Sequence, residues 1–336
     1  MLLEIETLLL FLVVILAFVS LWIRDLMSAV IVFGAYSFLM CLIWTGMGGV
    51  DVAFTEAAVG AGVSTVFFIA VLFNTTRQIQ FNPLDLSSKL LAAGLCIATG
   101  LLLFLGISDL PMWGDATSPV NTHVSKYYIE EAYNQTKVPN LVTAVLADYR
   151  GFDTMFETCV VFIALLGIFM LLKKDNDTQS PEEIEDNAKS DNLIIRVASR
   201  FMVPFIQLFG LYVVAHGHYS PGGGFQGGVI LGSSLILVAM SYSMDKAKKL
   251  LSIKKMILFA VIGVLIFATW GLIPVLLGHA FLDYSAWATI IPGLSKKMAR
   301  SYSMLAVEIG VALTVMCGMY GIYMSLVSNG RFNKGL

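Results

Sequence analysis

Nine apolar runs, each about as long as a bilayer is thick, limit what this chain can fold into. A helix needs roughly 20 apolar residues to cross the hydrocarbon core of a membrane. The runs lie near residues 3–23, 26–46, 52–73, 88–106, 153–172, 200–216, 228–243, 255–277 and 302–326. Charged residues make up 13% of the chain, whereas a soluble domain carries about 25%. The sequence therefore predicts an all-α integral membrane protein with about nine transmembrane helices.

The distribution of Lys and Arg predicts how these helices are oriented. The first run opens with Glu4 and Glu6 and has no small-residue cleavage site after it, so we expect it to remain as a span rather than be removed as a signal peptide. If the N-terminus faces outward, the inner segments hold 15 of the 21 basic residues and the outer segments hold six. Basic residues concentrate on the cytoplasmic side, which favours an outer N-terminus and an inner C-terminus.

The polar segments divide the chain. Residues 173–192 contain seven acidic and three basic residues and almost nothing apolar, so they are expected to form a linker between two helical bundles, 1–172 and 193–336. Residues 124–136 have a helical apolar rhythm, and residues 193–201 are amphipathic, which is typical of helices at a membrane surface. Residues 279–300 are interrupted by Pro292 and Gly293 and are expected to form a loop or a half-inserted segment.

A glycine-rich stretch, residues 216–228, separates the sixth and seventh runs. Irregular backbone within a membrane persists where protein buries it or water reaches it, so the stretch predicts a pocket, a re-entrant turn or a pore edge. A flexible hairpin loop is the alternative. The residues predicted to build a structural turn are Pro221, Gly222, Gly223, Gly224, Gly227 and Gly228.

His216 and His218 flank the first glycine of this stretch and permit three interpretations. They could bind a metal, titrate at the mouth of an ion path, or form hydrogen bonds within the turn. A stable metal site needs three or four ligands, and the sequence offers no third ligand nearby, so no metal site is predicted. The four cysteines form no Cys-x-x-Cys pair, and the glycines lack the Gly-Lys-Ser/Thr ending of a nucleotide loop.

Acidic residues in the apolar runs are the other candidate functional groups, because a charge within a bilayer is costly. Glu56 lies five residues after Asp51, early in the third run, and shares a helical face with Gly60 and Ser64. Such a carboxyl could gain and lose protons on an ion path. Alternatively, Glu56 lies near the interface and caps the helix.

Three further acids follow later in the chain. Asp153 and Glu157 lie four residues apart at the start of the fifth run, where they form either an acid pair on a cation path, with Arg150 as counter-charge, or a capping box. Glu308 lies inside the ninth run, where no cap explains it, and is expected to have a functional or helix-pairing role.

The second half of the chain resembles a known family. Residues 216–228, with the flanking segments 196–204 and 208–212, closely resemble the MnhB family, which is the B-type component of Mrp-type multisubunit sodium/proton antiporters. The resemblance covers residues 193–336. It implies a membrane protein of prokaryotic origin in the cell membrane.

The first half resembles two other small membrane proteins. TEAAVGAGVST at 55–65 is similar to the D component of membrane-bound hydrogenases, and VPNLVTAVLADYRGFDT at 138–154 is similar to their E component. Both regions also resemble the C-terminal extension of the large A component of the antiporters. The expected organisation is a D-like module at 1–106, an E-like module at 107–172, the acidic linker at 173–192 and an MnhB-like module at 193–336.

The resemblance implies a non-redox subunit that helps to form the path for Na+ and H+ beside the large antiporter-like subunits and other small membrane subunits. It implies no enzymatic activity of the chain itself, no cofactor and no nucleic-acid partner. Glu56, Asp148, Asp153 and Glu157 match positions of the family motifs. Two alternatives remain open: the same module in a redox complex such as a membrane-bound hydrogenase, and a purely structural scaffold.

Overall fold

The computed structural model describes residues 2–79, 85–112, 114–172, 193–242 and 244–328, and its regular structure is helical. The predicted acidic linker, 173–192, lies outside these residues. Within the described ranges, nine helices are long and apolar enough to cross a membrane, as predicted. They are α1 (Leu2–Trp22), α2 (Leu26–Gly46), α3 (Val50–Leu72), α4 (Leu86–Ser108), α5 (Gly151–Leu172), α6 (Leu193–His216), α7 (Gly224–Tyr242), α8 (Ile253–Leu276) and α9 (Lys296–Ser328).

Two helices are longer than predicted. The amphipathic residues from 193 form the first turns of α6, in one continuous helix with the sixth apolar run. The last helix begins at Lys296 rather than near residue 302, so that Arg300 belongs to α9.

The longest helix, α9, forms the centre of the molecule. It packs against α5, α7 and α8, and α6 packs against α7. Buried residues from both halves of the chain, among them Val63, Leu165, Val307 and Val315, belong to one hydrophobic cluster. The two predicted bundles therefore share a core around α9.

Two segments adopt π-helical geometry, which is rare and frequently marks functional sites. The first, Ala57–Ser64, begins directly after Glu56 and interrupts α3. The second, Val145–Tyr149, contains Asp148 and is separated from α5 by Arg150 alone. Both segments therefore place an acidic side chain at a point where the helical register changes.

One end of the molecule gathers the connections that the charge distribution assigns to the outer side. Asp51, Asn140 and the turn after α6 are in hydrogen-bond contact there. The predicted amphipathic helix forms at Val124–Thr136, and the connection from α8 to α9 carries short helices at Tyr284–Ala286 and Trp287–Ile290. At the opposite end, Arg77 pairs with Asp25 at 2.5 Å.

The fourth helix differs from the others because none of its residues is buried. A span that is apolar throughout its length can face lipid or another protein on every side. The packed part of the molecule is therefore formed by the remaining helices, with α9 in the middle.

Candidate functional site

The turn between α6 and α7 is shorter than the glycine-rich stretch that predicted it. Gly222 and Gly223 have φ angles of +155° and +132°, which side chains disfavour. Gly224, Gly227 and Gly228 belong to α7 instead. The prediction of a turn extending to Gly228 is therefore wrong, because the helix begins at Gly224.

The helical glycines bring three helices into close contact. A Cβ atom on Gly227 would lie 2.9 Å from the carbonyl oxygen of Gly210 in α6. One on Gly228 would lie 2.8 Å from the carbonyl oxygen of Ala312 in α9, and one on Gly224 would overlap the main chain of Glu308. These residues thus place the start of α7 directly against the Glu308 segment.

Side chains from the first half of the protein hold the turn. The amide of Asn140 donates hydrogen bonds to the carbonyl oxygens of Gly217 and Ser220, each at 3.0 Å. The hydroxyl of Thr143 donates to the Gly217 oxygen at 2.7 Å. The main-chain N–H of Gly222 donates to Asp51 at 3.2 Å. Because its carbonyl oxygens and one N–H are bonded in this way, the segment is a fixed turn rather than a flexible loop.

A cavity of about 900 Å³ lies beside this turn. Four acidic side chains line it: Asp51, Asp153, Glu157 and Glu308. Thr55 and Gln226 add a polar bridge, in which the Gln226 amide donates to the Thr55 hydroxyl at 2.8 Å. The other walls are mainly valine, leucine, alanine and phenylalanine. We call this space the acidic cavity.

Glu308 is the buried acid of the cavity. The residue is 8% exposed, and its Oε2 atom is sealed from water and has no hydrogen-bond partner among the described residues. A Cβ atom on Gly223 would lie 3.2 Å from the other carboxyl oxygen, so the turn approaches this carboxyl closely. Burying an unpaired carboxylate is costly, which leaves Glu308 able to accept a proton or a cation.

Asp153 and Glu157 enter the cavity from α5, which begins at Gly151. Neither Asp153 nor Thr154 caps this helix, because both lie inside it, and the capping-box alternative is therefore wrong. Arg150 pairs with Asp153, with its Nη2 2.5 Å from the carboxylate. The side chain of Glu157 is exposed, and no hydrogen bond or ion pair reaches it within the described residues.

Asp148 does not line the acidic cavity. It accepts a hydrogen bond at 2.6 Å from Nε of Arg300 in α9, and the two side chains are 7% and 20% exposed. Burial raises the pKa of the Asp148 carboxyl, and the guanidinium partly opposes this rise. Sequence reasoning missed the role of Arg300, since 152 residues separate the pair.

Glu56 lies outside the acidic cavity as well. Its carboxyl folds over Gly60, where an added Cβ would also lie 2.9 Å from the hydroxyl oxygen of Ser37 in α2. The helix begins at Val50, and Glu56 makes no capping hydrogen bond. The capping alternative is therefore wrong for Glu56 too, although the predicted proximity to Gly60 is present.

The two histidines occupy different environments. The ring of His216 stacks on Tyr212, with 4.8 Å between ring centroids. His218 is 8% exposed, its Nε2 has no hydrogen-bond partner in the described part of the chain, and burial lowers the pKa of its imidazole. Among the described residues, no three His, Cys, Asp or Glu side chains cluster in a way that could hold a metal ion.

Comparisons with known proteins identify three consecutive regions. Residues 194–321 match the model described as a domain related to the MnhB subunit of the Na+/H+ antiporter. Residues 11–77 match the MbhD model and residues 95–188 the MbhE model, which are described as subunits D and E of MBH. The order of the three matches along the chain is the predicted order.

Two curated relatives differ in how much of them the chain covers. The probable K(+)/H(+) antiporter A/B protein of Rhizobium meliloti (strain 1021) is 25% identical over 292 residues, which are 80% of this chain and 29% of the relative. The putative antiporter subunit mnhB2 of Staphylococcus aureus (strain Newman) is 30% identical over 143 residues, which are 43% of this chain and 99% of the relative. The chain thus spans under a third of the first relative and nearly all of the second.

A solved structure shares the fold. A chain of the Mrp complex from Dietzia sp. DQ12-45-1b superposes on 98% of this chain with a TM-score of 0.75 and 24% sequence identity, and the match covers 35% of that chain. The arrangement of helices around α9 therefore also occurs as part of a longer chain of that complex.

Proposed function

Because the chain belongs to the MnhB family of antiporter subunits, we propose that it is a non-redox membrane subunit of a multisubunit monovalent cation/proton antiporter. In this proposal, the acidic cavity forms part of the ion path. The first relative is named as a K(+)/H(+) antiporter and the family model as a Na+/H+ antiporter, so the transported cation is Na+ or K+.

The observation that carries this proposal is the buried Glu308, whose Oε2 has no partner among the described residues and which lines a cavity together with three other acids. A carboxylate inside a membrane protein is expensive to maintain and usually marks an ion or proton route. Asp51, which lies at the start of α3 and accepts a hydrogen bond from the turn, and Glu157 on α5 continue the acidic surface away from Glu308. Competition between a cation and a proton for the same carboxyl would couple their movements.

The experiment measures cation-driven proton movement in inverted membrane vesicles that contain the complete complex. Glu308→Gln should lower the antiport rate roughly tenfold or more, because it removes a charged contact worth about 1.5–3 kcal/mol. Glu131→Gln changes an exposed acid in Val124–Thr136 and should leave the rate unchanged. Antiport by an assembled Glu308→Gln complex at the unmodified rate would refute the role of the cavity.

The proposal also covers the membrane, the orientation and the partners of the protein. We place it in the inner membrane of a prokaryotic cell, with its N-terminus outside and its C-terminus inside, which puts the acidic cavity near the outer surface. Its partners are the large antiporter-like subunits and other small membrane subunits. The proposal also divides the chain into three modules, at residues 1–106, 107–172 and 193–336.

A redox complex is the second candidate, because two of the three matched regions resemble subunits of MBH. In that case the cavity would serve the same ion path, and a different protein of the complex would supply the redox chemistry. Purification of the tagged complex separates the two candidates by whether a metal- or flavin-containing protein copurifies with the chain.

A further inference from the structure

Glu157 lies in a place where lipid is a poor neighbour. It follows the first residue of α5, Gly151, by six positions, or about 9 Å along the helix axis. The 22 residues of α5 are about as long as the hydrocarbon core is thick, so Glu157 lies below the membrane surface. Its side chain is nonetheless exposed on this chain, as are those of Phe156 and Val160 beside it.

The two nearby arginines form their ion pairs with other acids. Arg150 is paired with Asp153, and Arg300 is paired with Asp148. No ion pair or hydrogen bond reaches Glu157 from the residues that the structure describes. A carboxylate within a bilayer faces a partner or a water-filled space rather than hydrocarbon. We therefore expect a polar or charged group from outside this chain to contact the exposed side of Glu157.

The acidic cavity is also too large and too apolar to serve as an ion site alone. At about 30 Å³ for each water, its volume of about 900 Å³ would hold about thirty molecules. Much of its wall is apolar, with Val52, Leu146 and Phe156 among the lining residues. In addition, Glu308 lines the same space, and its buried Oε2 has no partner in the part of the chain that the structure describes. Apolar walls with unpaired acids suit an apolar helix that carries a cation.

We propose that the acidic cavity is closed by a transmembrane helix of another subunit, which carries a Lys or Arg at the depth of Glu157. The apolar face of this helix would pack on Val52, Phe156 and Val160, while its basic side chain would pair with Glu157. The inference rests on the proposed function in that the partner is a subunit of the same complex. The ion path then lies between the two subunits rather than inside this one.

The first test locates the partner by photo-crosslinking in the purified complex. A benzophenone amino acid at Val160 should crosslink to one transmembrane segment of another subunit, and peptide mass spectrometry should find a Lys or Arg in that segment. The matched control carries the same group at Met170, which is 76% exposed at the opposite end of α5. Crosslinking of Val160 to lipid alone, or to a segment without a basic residue, would overturn the proposal.

The second test uses charge reversal. Glu157→Lys should lower the amount of the partner that copurifies with the chain at least fivefold, and changing the partner's basic residue to Glu should restore it. Glu131→Lys, on the exposed Val124–Thr136 helix, should leave copurification unchanged. Size-exclusion chromatography of the chain itself confirms that Glu157→Lys remains folded. A folded Glu157→Lys chain that retains the partner fully would overturn the proposal.

The two proposals fail in different ways. If the group at Val160 crosslinks to no segment that contains a basic residue, while antiport still depends on Glu308, the docking surface is refuted and the proposed function remains. A specific crosslink together with unchanged antiport in Glu308→Gln would refute the ion path and retain the interface.

Discussion

Gly227 illustrates how an absent side chain determines the distance between helices. Its α-carbon faces α6, where an added Cβ would meet both the carbonyl oxygen of Gly210 and the main-chain N of Val214, 3.0 Å away. Neither main-chain atom can rotate aside as the tip of a side chain can. The contact between α6 and α7, and with it the position of the turn beside the acidic cavity, therefore depends on glycine here.

We expect Gly227→Ala to destabilise the protein by about 1–3 kcal/mol, because overpacking forces the helices apart. The measurement is the midpoint of thermal unfolding in detergent. Gly100→Ala is the matched control, since Gly100 lies in α4 with open space around its α-carbon. This control should match or slightly exceed the parent, as alanine favours helix more than glycine does. Equal midpoints for the two variants would contradict the close contact.

At the level of helices and turns, the sequence was informative wherever the signal is local. Runs of apolar residues predicted α1 to α9, and glycine content predicted the turn that contains Gly222 and Gly223. The turn was predicted too long because glycine serves two purposes in this segment. In Gly222 and Gly223 it permits positive φ, whereas in Gly224 and Gly228 it permits close packing of α7, and only the packed structure separates these uses.

Contacts between distant residues could not be predicted in this way. Arg300 and Asp148 are 152 positions apart, and Gln226 and Thr55 are 171 positions apart. Charge or polarity alone does not pair such residues, because the pairing depends on how helices cross. The π-helical register after Glu56 was missed for a related reason, since it follows from packing rather than from the local apolar pattern.

The turn after α6 should make stability depend on pH through His218. Burial lowers the pKa of its imidazole, so the folded protein resists a proton that the unfolded chain accepts near pH 6.5. Above about pH 6.5 the imidazole is neutral in both states and does not change the free energy of unfolding. Below that value the unfolded chain binds the proton, and the free energy of unfolding falls. Thermal midpoints recorded from pH 7.5 to 5.5 should therefore decline less steeply in His218→Gln than in the parent.

His123→Gln is the control for this prediction, because His123 is exposed and its replacement should leave the decline unchanged. If His218→Gln and the parent lose stability equally on acidification, the buried imidazole is not responsible.

For the whole molecule, the decisive feature is that two halves with separate sequence resemblances form one packed body. Residues of α3 and α5 join the core around α9, and Asn140 and Asp148 make polar contacts across the boundary. The position of the acidic cavity follows from this packing. Asp51 and Glu157 come from the first half, whereas Gln226 and Glu308 come from the second.

This packing predicts that the covalent connection is dispensable once the protein has folded. With a specific protease site inserted in residues 173–192, cleavage of the purified protein should leave the two halves copurifying on a tag attached to either one. Asp148→Asn should weaken this association, because it leaves Arg300 largely buried without a counter-charge. Breaking a buried pair costs about 3–5 kcal/mol, and since Arg300 is 20% exposed we expect the lower end of that range.

A loss of this size corresponds to roughly a hundredfold change in the association constant, which is measurable by dilution of the cleaved protein followed by affinity capture. Asp25→Asn provides the matched control, because it breaks the exposed pair with Arg77 inside the first half and should not alter recovery. Separation of the cleaved parent into two halves in mild detergent would contradict the shared core. Association of cleaved Asp148→Asn as tight as that of Asp25→Asn would instead show that apolar packing around α9, without the Asp148–Arg300 pair, holds the halves together.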